Sequence, residues 1–127
     1  MSISSGNYIA FLDSDDAWHP DKLQMQYSLL TSLPEHFGLV YCGMTIFQAD
    51  RKVRDRLPIM RGDVHKECLL EDAIFGPPTL LIKRRYFECI GGFDESLPAR
   101  EDWDFDIRFT KRFSVDFVDR CLVDVHW

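Results

Sequence analysis

Asp13-Ser14-Asp15-Asp16 puts three carboxylates in one short run, directly after the apolar stretch Tyr8-Ile9-Ala10-Phe11-Leu12. An unbroken apolar run of this length reads as a strand buried on both faces of an α/β sheet. Ligands of open α/β sheets bind beyond the C-terminal ends of such strands. Carboxylates this close repel one another unless a cation sits among them, and a hard, oxygen-seeking ion such as Mg²⁺ or Mn²⁺ meets that need. The same residue types also suit a polar turn that caps a following helix. An EF-hand loop is excluded, because Ala17 and Gln24 stand where ligands belong and no glycine occupies the turn.

A second acidic pair, Glu101-Asp102, is followed by Trp103 and preceded by Gly91-Gly92-Phe93-Asp94. Acids at a helix start either complement its dipole or act as a base. Gly91 and Gly92 permit backbone turns closed to other residues, as a helix cap or as the shaping of a loop.

These residues need a frame, and the chain supplies alternating signals for one. Pro20 and Asp21 open a helix over 20–33, with Leu23, Tyr27, Leu30 and Leu33 as its apolar stripe and Pro34 as its stop. Residues 38–48 read as a second buried strand, and 49–62 as a charged loop or edge hairpin. A helix over 64–74, with Val64, Cys68 and Leu69 on one side, ends at Gly76-Pro77-Pro78. Thr79-Leu80-Leu81-Ile82 then reads as a strand, Arg84 to Ile90 as a short helix, Glu101 to Phe113 as another, and 115–125 as a terminal strand or two. The alternation predicts an α/β domain with a mixed sheet.

Composition narrows the function classes. A chain of 127 residues, 46% hydrophobic, suits one globular domain with a core. Its 15 basic and 21 acidic residues leave it acidic, which disfavours nucleic acid as a partner. Cys42, Cys68, Cys89 and Cys121 form no CxxC pair and read as reduced and buried. No signal peptide or transmembrane run is visible, so the expected location is cytoplasmic, with room for peripheral attachment at the inner membrane face.

The segments YIAFLDSDDAWHPDKL and GGFDESLPAREDWDF, with the helix and strand material between them, resemble the family 2 glycosyltransferases of GT-A fold. In that family a hydrophobic strand ends in a DxD-type motif, followed by a tryptophan and a Pro-Asp-Lys-Leu helix start. A later Gly-Gly-Phe-Asp loop leads to a Glu-Asp pair at a helix start. The resemblance implies a nucleotide-sugar donor, a hydroxyl acceptor and Mg²⁺ or Mn²⁺. It implies Asp13 near the ribose and Asp15 with Asp16 on the metal, although the D-S-D-D run allows more than one register. It implies Asp102 as the base of an inverting displacement, with Glu101, Trp103, Gly92 and Asp94 shaping the acceptor side. Trp18 and Trp103 suit either a sugar face or the core. Lys83-Arg84-Arg85 suits either a diphosphate or a solvated strand end.

The resemblance also implies that the family's first nucleotide-binding strands lie outside this chain, and that the family continues beyond its end. A bare sheet edge would then invite pairing between copies, and the isolated chain would bind metal and nucleotide weakly. Two alternatives stand beside this reading. One is a haloacid-dehalogenase-like phosphatase using Asp13 and Asp15, with Thr79, Lys83 and Glu101-Asp102 as its other parts. The other is a non-catalytic, degenerate domain.

Overall fold

The apolar stretch after Pro34 becomes β4 (Phe37–Gln48), the strand on which the sheet is built. The computed structural model describes residues 2–12, 16–70, 74–93 and 101–126, with residues 2–5, 101 and 102 described by their backbone. The remaining strands are β1 (Ser2–Ser5), β2 (Tyr8–Phe11), β3 (Ala17–Trp18), β5 (Arg51–Arg56), β6 (Leu81–Lys83) and β7 (Ser114–His126). They form one sheet in the order β1-β2-β6-β4-β7-β3, with β5 also on β4. The β4–β7 pairing is parallel and the others are antiparallel, so the sheet is mixed, as predicted.

Pleating sends alternate residues to opposite faces. Ile9, Phe11, Leu39, Tyr41 and Ile82 fall in one buried cluster; Ala10, Val40 and Leu81 fall in the other. The second cluster is covered by α1 (Lys22–Ser32), through Leu30. The first takes in Phe105 and Phe109 of α4 (Glu101–Thr110) and Cys68 of α2 (His65–Leu70). Ile90 of α3 (Arg84–Ile90) packs at its margin. Residues 49–62 resolve as the edge hairpin: Ala49 and Asp50, both at positive φ (52° and 62°), make the tight turn between β4 and β5.

Several details differ from the sequence-based expectation. The buried face of α1 is Lys22, Gln26 and Leu30, whereas Leu23 and Tyr27 are 41% and 51% exposed. The stripe is offset because Lys22 and Gln26 find backbone carbonyls to bond beneath the helix. Leu69 is exposed, since only Val64 and Cys68 reach the core from that short helix. Pro77–Thr79 form a 3-10 turn, so the strand begins at Leu81 rather than Thr79. The last helix ends at Thr110, and one long strand follows it. All four cysteines are thiols outside any disulfide; Cys42 and Cys68 are buried, but Cys89 is exposed.

Burial lowers the Lys22 amine from its ordinary 10.5 to about 8. Its neutral form therefore favours the folded state, a contribution complete above pH 10.5 and lost as pH falls through about 8. Burial pushes the Cys42 thiol up to about 11 and the Tyr41 phenol up to about 12, which act in the opposite sense at alkaline pH. A Lys22→Met comparison removes those two terms. Between pH 8 and 10.5 the wild type should gain on Lys22→Met by up to about 3 kcal/mol in urea unfolding. A stability difference flat across that range would contradict the desolvation of Lys22.

Candidate functional site

The acidic run falls in the connection between two strands. β2 ends at Phe11, and β3 begins at Ala17. Asp13, Ser14 and Asp15 lie outside the described residues. Asp16 is half-buried, and its Oδ1 accepts the His126 backbone N–H at 3.4 Å. Just beyond it, Ala17 pairs with Asp124 and Trp18 with Val123. His19 N–H donates to the Leu122 carbonyl at 2.8 Å, and His19 Nε2 lies 3.0 Å from Asp124 Oδ1. The run contains carboxylate and hydroxyl oxygens and neither thiol nor imidazole, a donor set that fits a hard divalent cation. Among the described residues, no group of three His, Cys, Asp or Glu side chains is arranged to hold a metal.

Behind the run, three side chains converge on three successive carbonyls. Trp18 Nε1–H donates to Pro78 O at 3.1 Å, Gln26 Nε2–H to Thr79 O at 2.7 Å, and Lys22 Nζ to Leu80 O at 3.5 Å. Lys22 Nζ also bonds Gln26 Oε1 at 2.8 Å and sits 4.4 Å from the centroid of the Trp18 ring.

The second acidic segment is framed differently. Gly91 caps α3 at φ 92°, and Gly92, at φ 68°, donates its N–H to Phe87 O. Arg108 of α4 spans this turn: Nη1 reaches Ile90 O at 2.8 Å, Nη2 reaches Gly92 O at 2.7 Å, and Nε bonds Asp104 at 2.9 Å. One planar guanidinium thereby fastens the Gly-Gly turn to the helix that opens with Glu101-Asp102. Glu101 and Asp102 form the first turn of α4, and Asp94 lies outside the described residues. Trp103 is half-buried and donates its indole N–H to Cys68 O at 2.7 Å, pinning α4 to α2.

The two acidic segments meet through a ring cluster. Phe11, the last residue of β2, lies 5.3 Å from Phe93 in an edge-to-face contact, and Phe93 lies 4.9 Å from Phe105 of α4. Phe87 contacts all three rings. Lys83 is elsewhere. Its pairing with Tyr8 puts it at the opposite end of β2 from the carboxylates, at a solvated strand end. That placement sets the basic run at the far end of β2 from Phe11. Thr79, a part of the phosphatase alternative, is buried with its hydroxyl on Gly76 O.

Sequence reasoning gave Lys22, Gln26, Arg108 and His19 no role, although Lys22 stands in the Pro-Asp-Lys-Leu helix start. The i,i+4 spacing of Lys22 and Gln26 was the available signal, masked by the neighbouring apolar stripe.

A family described as "Glycosyltransferase like family 2" matches residues 1–124. An uncharacterized glycosyltransferase of Rickettsia typhi is 32% identical over 124 residues, covering 93% of this chain and 39% of that protein. The amylovoran biosynthesis glycosyltransferase AmsB of Erwinia amylovora is 30% identical over 87% of this chain and 38% of its own length. The putative teichuronic acid biosynthesis glycosyltransferase TuaG of Bacillus subtilis is 30% identical over 64% of this chain and 31% of its own. The chain thus spans about two fifths of the first two relatives.

The two glycines of the turn should respond unequally to alanine. A Cβ on Gly91 meets nothing within 4 Å, whereas one on Gly92 comes within 3.1 Å of the Phe87 ring. Gly91→Ala should cost about 1 kcal/mol for its left-handed backbone, and Gly92→Ala about 2–3 kcal/mol, because ring displacement is added. Urea unfolding of the two variants tests this, and equal costs would refute the packing argument.

Proposed function

The chain belongs to glycosyltransferase-like family 2, and from that membership we propose that it serves metal-assisted transfer of a sugar from a nucleotide-diphosphate sugar to an acceptor hydroxyl. The observation that carries the reading is the contact chain Phe11–Phe93–Phe105. A donor diphosphate and an acceptor base must face each other across one sugar. The segments that this ring cluster joins are the one leading into Asp13–Asp16 and the one opening with Glu101-Asp102.

In the proposed assignment Asp13 faces the ribose, while Asp15 and Asp16 hold Mg²⁺ or Mn²⁺. When bound, such an ion neutralises charge growing on the departing nucleoside diphosphate. Asp102 takes the proton of the acceptor hydroxyl as its oxygen attacks the anomeric carbon, and the carbon–oxygen bond to the diphosphate breaks with inversion. Gly92 and Asp94 shape the acceptor side, and Glu101 orients it. The indole N–H of Trp103 is engaged by Cys68 O, so this residue would offer an acceptor its ring face. Two relatives carry names from amylovoran and teichuronic acid biosynthesis. A saccharide acceptor is therefore part of the proposal.

The chain spans 39% of the Rickettsia typhi relative, and weak metal and nucleotide binding is proposed for it in isolation. β1 ends the strand order, so its outer edge is the proposed route to pairing between copies. A cytoplasmic location belongs to the same proposal; among the described residues, no helix is long and apolar enough to cross a membrane.

Calorimetry with Mn²⁺ and UDP should show binding weaker than micromolar that drops at least tenfold in Asp15→Asn/Asp16→Asn. Asp102→Asn should leave that binding intact while lowering sugar transfer by about 10³-fold. Metal affinity indifferent to the double substitution would overturn the assignment.

A further inference from the structure

Lys22 is an anomaly. Its side chain is wholly buried, and among the described residues its partners are Gln26 Oε1, Leu80 O and the face of Trp18, with no carboxylate among them. Burial of a cation disfavours folding, and an apolar residue of similar length would fill the same space without that cost. Retaining a lysine here calls for a role other than packing.

The geometry around it supplies one. Lys22, Gln26 and Trp18 place their donors on the consecutive carbonyls of Leu80, Thr79 and Pro78. The next residue, Leu81, pairs with Ala10 of β2. Residues 78–81 are therefore a common reference for both ends of the acidic run: through Ala10 they hold the strand before it, and through Trp18 the strand after it. The ammonium over the Trp18 face adds a cation–π contact that is strengthened by exclusion of water.

We propose that Lys22 is a positioning residue, which with Gln26 clamps Trp18 to the Pro78–Leu80 carbonyls and so fixes the separation of β2 and β3, the strands that residues 12–16 connect. Its consequence for metal binding rests on the glycosyltransferase reading above; its consequence for the loop does not. Lys22 touches no substrate in this scheme and acts through Trp18 and the backbone it anchors.

Hydrogen exchange read by mass spectrometry on the full chain separates this from a general packing role. In Lys22→Met, the peptide covering residues 12–19 should exchange about tenfold faster, while peptides of β4 and β7 keep their wild-type rates. Gln26→Leu, which removes the bond to Thr79 O but leaves the lysine, should give a smaller change in the same peptide. An unchanged 12–19 peptide, or faster exchange throughout the sheet, would overturn the proposal. Mn²⁺ titration of the same proteins supplies the second arm. Affinity about tenfold weaker in Lys22→Met supports the clamp, and equal affinity in the two proteins overturns it. Absence of Mn²⁺ binding by the wild type would count against the metal reading itself, and the exchange result would then decide the clamp alone.

Discussion

The contact of Phe11 with Phe87 and Phe93, and of these with Phe105, is the constraint on which the remaining arrangement depends. Two acidic segments do not approach each other on their own account: carboxylates repel, and the net charge of −6 does nothing to relieve them. Apolar rings placed just behind both segments provide attraction that does not depend on charge. Each such pair contributes about 0.5–1.5 kcal/mol beyond the area it buries. Phe109 of α4 and Phe113 just beyond its end extend the cluster, so the helix is held at more than one point. The frame behind both segments is therefore indifferent to the protonation of the acids.

The other face of the sheet uses different chemistry. There the elements are joined by polar groups taken out of water and paired with backbone carbonyls: Trp18, Gln26 and Lys22 on residues 78, 79 and 80. Hydrogen bonds are directional where ring packing is not, and a buried donor that misses its acceptor carries a penalty. The apolar face therefore supplies cohesion and the polar face supplies register. Arg108 repeats the polar device on the first face, where its guanidinium holds two carbonyls of the Gly-Gly turn.

Much of this was legible in the chain. The run from Tyr8 to Leu12 announced a buried strand, Gly91-Gly92 announced a helix stop, and the mixed sheet followed from the alternation of signals. The α1 face was misread because hydropathy counts Leu23 and Tyr27 as inward and Lys22 and Gln26 as outward. The structure reverses this, since carbonyls waiting beneath the helix outweigh the side-chain preference. Thr79 was read as strand because its type suits one, yet two preceding prolines hold it in a 3-10 turn. Motif spacing identified residues for both acidic segments. The Phe11–Phe93–Phe105 contact that joins them spans distant parts of the chain and leaves no mark in local pattern. Asp13, Asp15 and Asp94 lie outside the described residues, so their assignment still rests on motif and donor chemistry.

The parallel pairing of β4 with β7 has a consequence in time. β3 reaches the sheet through β7, and His19 meets Asp124 across 105 residues of chain. Contacts that distant close late, because the entropy of a long loop must be overcome before they return any stabilisation. β3 can take its place only once β7 is in the sheet, whereas β2 also pairs with β1 close by in the chain. The strands on either side of residues 12–16 therefore reach their final separation only when β7 docks, so the setting of this connection is a property of the finished topology.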